Sequence, residues 1–180
     1  MKISSLLLTL IACLASTLAL PVHAEDPKTF EVAGFTFNRP AEWSWVQVSS
    51  PMRKAQLHVG GADAATGGDV TFFHFIGAGG DVEANTKRWL AQFQSKPGAE
   101  KVEAKELNGV KVTFVSTEGT FASGMPGGPT TAMEDYALIG AIMEATEGSV
   151  FAKFTGPAKV VKAEKDKFIQ FVTDATKTRK

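Results

Sequence analysis

The sequence predicts a single α+β domain: a mainly antiparallel β-sheet with two amphipathic helices packed on it. Three observations lead there. Short runs of β-branched and aromatic residues recur along the chain, most of them closed by Gly, Pro or Asn-Gly. Only two segments, one after Gly80 and one after Pro157, carry apolar residues at helical spacing. Runs of adjacent strands broken by two separated helices are the pattern of an α+β domain, and no internal repeat or linker suggests a second one.

The first residues are read as an export signal. Lys2, an apolar run from Ile3 to Leu20, and small residues ending in Val22-His23-Ala24 have the order of a secretory leader cut after Ala24. Residues 1–24 are then the signal and residues 25–180 the domain, periplasmic or secreted. A membrane anchor is the competing reading of such a run. Ser4, Ser5, Thr9, Ser16 and Thr17 dilute it, and a cleavage site follows at once. Leu10-Ile11-Ala12-Cys13 also resembles a lipobox, which leaves a lipid anchor at Cys13 as a second route. Cleavage after Ala24 removes the chain's only cysteine, and with it disulfides, thiol catalysis and thiolate metal sites. The sequence has 19 basic and 19 acidic residues. Loss of Lys2 brings the mature chain to about −1, which offers no electrostatic case for nucleic acid or an anionic membrane as partner.

Thr29 to Phe37 reads as two short strands meeting at Ala33-Gly34. Pro40-Ala41-Glu42-Trp43 leads into a third strand, Ser44 to Val48, and Lys54 to Val59 turns Ala55, Leu57 and Val59 inward. Gly60 to Gly68, GGADAATGG, has the composition of a flexible loop with nothing large to hold it down. Val70 to Ile76 is apolar on both alternating faces, with Val70, Phe72, His74 and Ile76 on one side and Phe73 and Phe75 on the other. It should therefore be an interior strand covered on both sides. Gly77, Gly79 and Gly80 turn the chain, Asp81 is placed as an N-cap, and Val82, Thr86, Trp89, Leu90 and Phe93 form one helical stripe. The Trp89 indole should anchor that helix to the sheet. A phosphate-binding loop fits this corner poorly, because the third glycine of the dinucleotide pattern is replaced by Val82 and an aspartate caps the helix.

Lys96-Pro97-Gly98 ends the helix, and Asn108-Gly109 joins a hairpin of Glu103–Leu107 and Val110–Val115. Gly119 to Thr131, with Gly124, Pro126, Gly127, Gly128 and Pro129, reads as a long loop. Tyr136 to Met143 is again apolar on both faces and should be interior; Val150 to Thr155 follows it as a strand. The last helix, Ala158 to Thr176, carries Val161, Phe168, Val172 and Ala175 as its apolar stripe.

The stretch GFTFNRPAEW, Gly34 to Trp43, resembles the start of exported PsbP-like and DcrB-like α+β domains, where a short strand precedes Pro-x-x-Trp. The order of strands and helices is similar to that fold over most of residues 25–180. GGDVEANTKRW and DYALIGAIMEA look like segments of small exported proteins of unknown function. The resemblance implies an accessory or binding module, not an enzyme, and brings no catalytic residue onto any position of this chain.

No catalytic, cofactor-binding or metal-binding set emerges from the residues themselves. After signal removal only His58 and His74 remain, short of the three or four ligands a zinc site takes. Met125, Met52 and Met133 are too scattered for a copper site, although thioethers suit Cu(I). Ser123 lacks the flanking glycines of a nucleophile elbow, and the carboxylates Glu134, Asp135 and Glu144 are explained as well by a solvated strand edge. The reading is a binding module without a cofactor, its partner a protein or a small molecule. Contact would run through the loops Gly60–Gly68 and Gly119–Thr131, with His58, His74, Met125 and Asp135 as candidate contact residues. An exported copper or zinc binder, or a small hydrolase, is the alternative.

Overall fold

The computed structural model describes residues 26–124 and 128–179. Its hairpins form where the turn chemistry demands them. Ala33 and Gly34 take φ of 47° and 83° between β1 (Thr29–Val32) and β2 (Phe35–Asn38). Asn108 and Gly109 take 50° and 77° between β7 (Lys101–Leu107) and β8 (Val110–Gly124). Two successive positive φ values match the twist of paired strands, which is why Asn-Gly leads such turns.

β1 and β2 make a two-stranded sheet of their own. The main sheet has eight strands in the order β3 (Ser44–Trp45), β4 (Arg53–Gly60), β5 (Gly67–Phe75), β10 (Ser149–Pro157), β9 (Thr130–Glu144), β8 and β6 (Phe93–Ser95), with β7 also on β8. Every pairing is antiparallel. β5 and β9 are interior, as their two apolar faces require.

Alternation then decides which helix covers which side. Phe72, Ala152, Phe154, Ile139 and Met143 lie on the face packed by α2 (Ala158–Thr176) and the β1–β2 hairpin. On α2 itself Val161, Phe168, Val172 and Ala175 are buried, the stripe expected of them. Trp43 is 1% exposed and closes this core, its Nε1 donating to Glu164 Oε2 of α2 at 3.0 Å. Leu138, Ile142, Val115 and Phe151 point to the opposite face, under α1 (Val82–Leu90) and Trp89.

α1 is built as its sequence suggests at the start. Asp81 accepts from the Ala84 amide at 2.7 Å, and Lys87 reaches Glu83 at 2.6 Å one turn away. Buried Asn85 ties the preceding 3-10 turn, Gly77–Gly80, through the Gly79 and Asp81 carbonyls. Trp89 sits over Gly140 of β9: a Cβ there would lie 2.2 Å from Cζ3 of the indole. The helix, however, ends at Leu90, short of Phe93. Ala122 donates to the Gln92 carbonyl and β6 pairs with β8, so a sheet edge wins over the helical period. Phe93 stays buried, its ring 4.9 Å from Phe121.

Four further expectations are corrected. Only Ser44–Trp45 of the third strand is paired as strand, with Val46 donating once more to Gln56. Ile76 lies past the end of β5 and is 65% exposed. The Gly119–Thr131 loop is mostly strand: β8 runs on to Gly124 and β9 begins at Thr130. Gly119 serves close approach, since a Cβ there would meet the Gln94 carbonyl oxygen at 2.0 Å. Lastly, the Gly60–Gly68 segment is tied down by its own polar groups. Asp63 Oδ1 accepts from the Ala65 amide and from the Thr66 hydroxyl, both at 2.9 Å. Tyr136 on β9 donates its hydroxyl to the Ala64 carbonyl at 2.7 Å. An Asx turn and one tyrosine replace the large side chain that the composition lacks. Residues 1–24, with the leader and Cys13, lie outside the described residues.

Candidate ligand-binding groove

α1 is short, and it covers β8, β9 and, through Trp89, Phe151 of β10. Toward β5 and β4 the same sheet face stays open. The odd-numbered residues of β5 point there, so Thr71, Phe73 and Phe75 are half-buried while Val70 and Phe72 on the other side are fully enclosed. A groove of about 700 Å³ runs over this open half, bounded by the end of α1, the β6 approach and the outer part of the β8–β9 hairpin. That volume is within the range of small-molecule sites.

Its floor and walls are aromatic. Phe73 stacks on Phe75 at 5.9 Å, Phe75 meets Phe151 at 5.5 Å, and Trp89 stands edge-on to Phe151 at 6.0 Å. Phe121 closes the far side, stacked on Tyr136 at 6.1 Å. Onto this surface three elements each deliver one cation: Arg53 from β4, Arg88 from α1 and Lys153 from β10. Arg53 lies 6.0 Å from the centroid of Phe73, and the Lys153 ammonium 5.5 Å from that of Phe121.

The partners of these cations are neutral. Arg53 donates to Gln56 Oε1, Arg88 to Asn85 Oδ1 and Lys153 to Gln92 Oε1. Arg53 Nε is buried with no hydrogen-bond partner among the described residues. Among the described residues no carboxylate lines the groove. Elsewhere lysines find acids readily: Lys96 and Lys162 reach Glu118, Lys167 reaches Glu42 and Glu164, and Lys177 reaches Asp174. Burial, with the Arg88 charge adding to it, pushes the Lys153 amine down to about 8. A lysine desolvated and left without a counter-ion behaves in this way.

The residues singled out in the sequence are placed apart. His58, on β4, lies between Asp69 Oδ1 at 3.1 Å and the Gly61 carbonyl at 2.6 Å. His74 is at the opposite end of β5, where Nε2 meets the Glu147 carbonyl at 2.7 Å. Asp135 sits in a bulge of β9 with φ of 52° and accepts from Lys96 at 3.1 Å. Met125 lies outside the described residues. Among those residues no group of three or more His, Cys, Asp or Glu is placed to hold a metal ion, and no helix is long and apolar enough to cross a membrane.

His58 makes the Gly60–Gly68 turn sensitive to pH. It faces two acceptors, and a neutral imidazole has only one N–H. The Gly61 carbonyl, with Asp69 assisting against burial, raises its pKa above the usual 6.5. The folded value lies above the unfolded one, so the tether is complete below the unfolded value and is lost as pH rises through the folded value. Hydrogen exchange at Gly61 and Gly67, corrected for intrinsic rates, should speed up as pH rises from below the usual imidazole value of 6.5 through the raised folded value. His58→Gln should abolish that dependence; equal protection across that rise in the parent protein would refute the account.

The fold is one already seen in a solved protein. The chain has the PsbP-like α+β fold: it is similar to the solution structure of cyanobacterial PsbP (CyanoP) from Synechocystis sp. PCC 6803, with a TM-score of 0.52 at 10% identity. The match covers 88% of this chain and 96% of that one. No family model matches the sequence, and no curated protein matches it.

Proposed function

We propose that this protein is an exported, non-catalytic accessory module that holds a small ligand in the open groove of its sheet. The observation that carries the reading is the uncovered aromatic surface beside α1, with Arg53, Arg88 and Lys153 on it and no acid among the described lining residues. Its aromatic area would gain from burial by an apolar body. Of the two loop regions singled out in the sequence, the outer β8–β9 hairpin borders the groove through Phe121, Ala122, Gly124 and Thr130, while no residue of the Gly60–Gly68 turn lines it. The resemblance noted at Gly34 to Trp43 supports an accessory rather than a catalytic role, and the leader pattern supports export.

Native mass spectrometry of protein purified gently from the exported fraction tests both parts. The expected result is an intact mass beginning at Glu25, with a small-molecule adduct that Thr71→Trp removes by filling the groove. A chain retained unprocessed in the cytoplasm would overturn export. Failure of every hydrophobic probe to perturb Phe73, Phe75 or Phe151 in NMR spectra would overturn the groove reading.

A further inference from the structure

Resting on that reading of the groove, we infer that its ligand is a small amphiphilic anion: a flat apolar body lying on Phe73, Phe75 and Phe151, with one carboxylate or sulfonate directed at Lys153. Charge complementarity carries the argument. A site built only to hold an apolar molecule would not place cations on its floor, because desolvating a charge without a partner is costly. Here Arg53, Arg88 and Lys153 come from three separate elements, and their side-chain hydrogen bonds among the described residues go to amide oxygens. An incoming anion would supply the charged partner that the described lining residues withhold. The aromatic floor sets the rest of the ligand, since ring stacking rewards a flat body. The net charge of the whole chain is +0. The groove lining, by contrast, carries three cations and no carboxylate among the described residues, which suits one acidic head.

The groove also has a proton linkage. The Lys153 amine is held down to about 8 by burial and by Arg88. Arg53 from β4 and Arg88 from α1 share the groove with it, while Asp69, paired with His58, and Tyr136 lie further along the same face. A carboxylate placed beside the amine favours its ammonium form, so binding takes up protons near pH 8 and weakens as pH rises beyond it.

Calorimetric titration of the full mature chain with 2-naphthoate and its neutral counterpart 2-naphthamide tests the inference. We expect naphthoate to bind about tenfold more tightly at pH 7, the scale of one hydrogen bond to a charged group. Its affinity should fall between pH 7 and pH 9.5, with proton uptake visible as a dependence on buffer ionisation heat. Lys153→Met should lower naphthoate affinity about tenfold and leave naphthamide unchanged, because it keeps the shape and removes the charge. If both compounds bind equally, or if Lys153→Met weakens both alike, the groove stands as a site and the anion assignment falls. If neither binds, while neutral probes of other shapes also leave the groove unperturbed, the groove reading falls with it.

Discussion

Gly140→Ala is expected to destabilise the protein by about 3 kcal/mol, the upper range for overpacking a filled core. The new Cβ would lie 2.2 Å from Cζ3 and 2.8 Å from Cε3 of Trp89. The indole is 5% exposed and has Phe151 edge-on at 6.0 Å, so it cannot give way without losing the packing it makes on the sheet. Either β9 bends or α1 lifts from the sheet. Urea denaturation gives the loss, and a red shift of tryptophan emission in the folded state reports the lifted indole. The pair can be isolated by a double-mutant cycle. In a Trp89→Leu background, already weakened, the Gly140 penalty should shrink to well under half. An unchanged penalty in that background would place its origin in β9 itself and refute the wedge. Because Trp89 also walls the groove, Gly140→Ala should weaken ligand binding without touching a cation.

On the other face, Trp43→Ala is expected to cost about 4 kcal/mol, in the range of buried aromatic truncations. Trp43 is 1% exposed, with Phe171 5.3 Å and Phe154 6.2 Å from its ring. The turn before it explains the Pro-x-x-Trp spacing: the Trp43 amide donates to the Pro40 carbonyl at 3.1 Å, and Arg39 holds the Trp43 carbonyl. That turn aims the indole at α2, where Glu164 accepts its N–H. Glu164→Gln keeps an acceptor in place, so its effect should stay near 1 kcal/mol. The ratio of the two losses in thermal and urea unfolding separates packing from the hydrogen bond. A Trp43→Ala loss no larger than that of Glu164→Gln would show that the motif is not a core anchor.

Much of this architecture was legible because it depends on local chemistry. Ala33-Gly34 and Asn108-Gly109 announce their turns, since few residue pairs tolerate two positive φ values. Val70 to Phe75 and Tyr136 to Met143 announce interior strands by being apolar on both faces, and Ala158 to Thr176 announces a helix by its stripe. Phe93 reads as part of the α1 stripe because position 93 fits the helical period and the buried strand equally; only the pairing with β8 separates them. Gly60–Gly68 reads as slack because composition does not reveal that Asp63 and Tyr136 will find its backbone. The β8–β9 extension is hidden by glycines that serve close approach rather than a turn.

The groove is the clearest case of what tertiary structure alone decides. Arg53, Arg88 and Lys153 are far apart in the chain, and each reads singly as an ordinary solvated cation. One signal was present: Lys153 interrupts Val150-Phe151-Ala152-Lys153-Phe154, a lone charge inside a buried strand. Local chemistry was enough to set the α+β class, the Ala33-Gly34 and Asn108-Gly109 turns, the buried stripe of α2 and the Trp89 anchor, because side-chain shape and backbone propensity act within a few residues. Sheet order and register decided which cations and aromatic rings share one face, because only the pairing of distant strands sets residues such as Lys153 and Thr71 side by side.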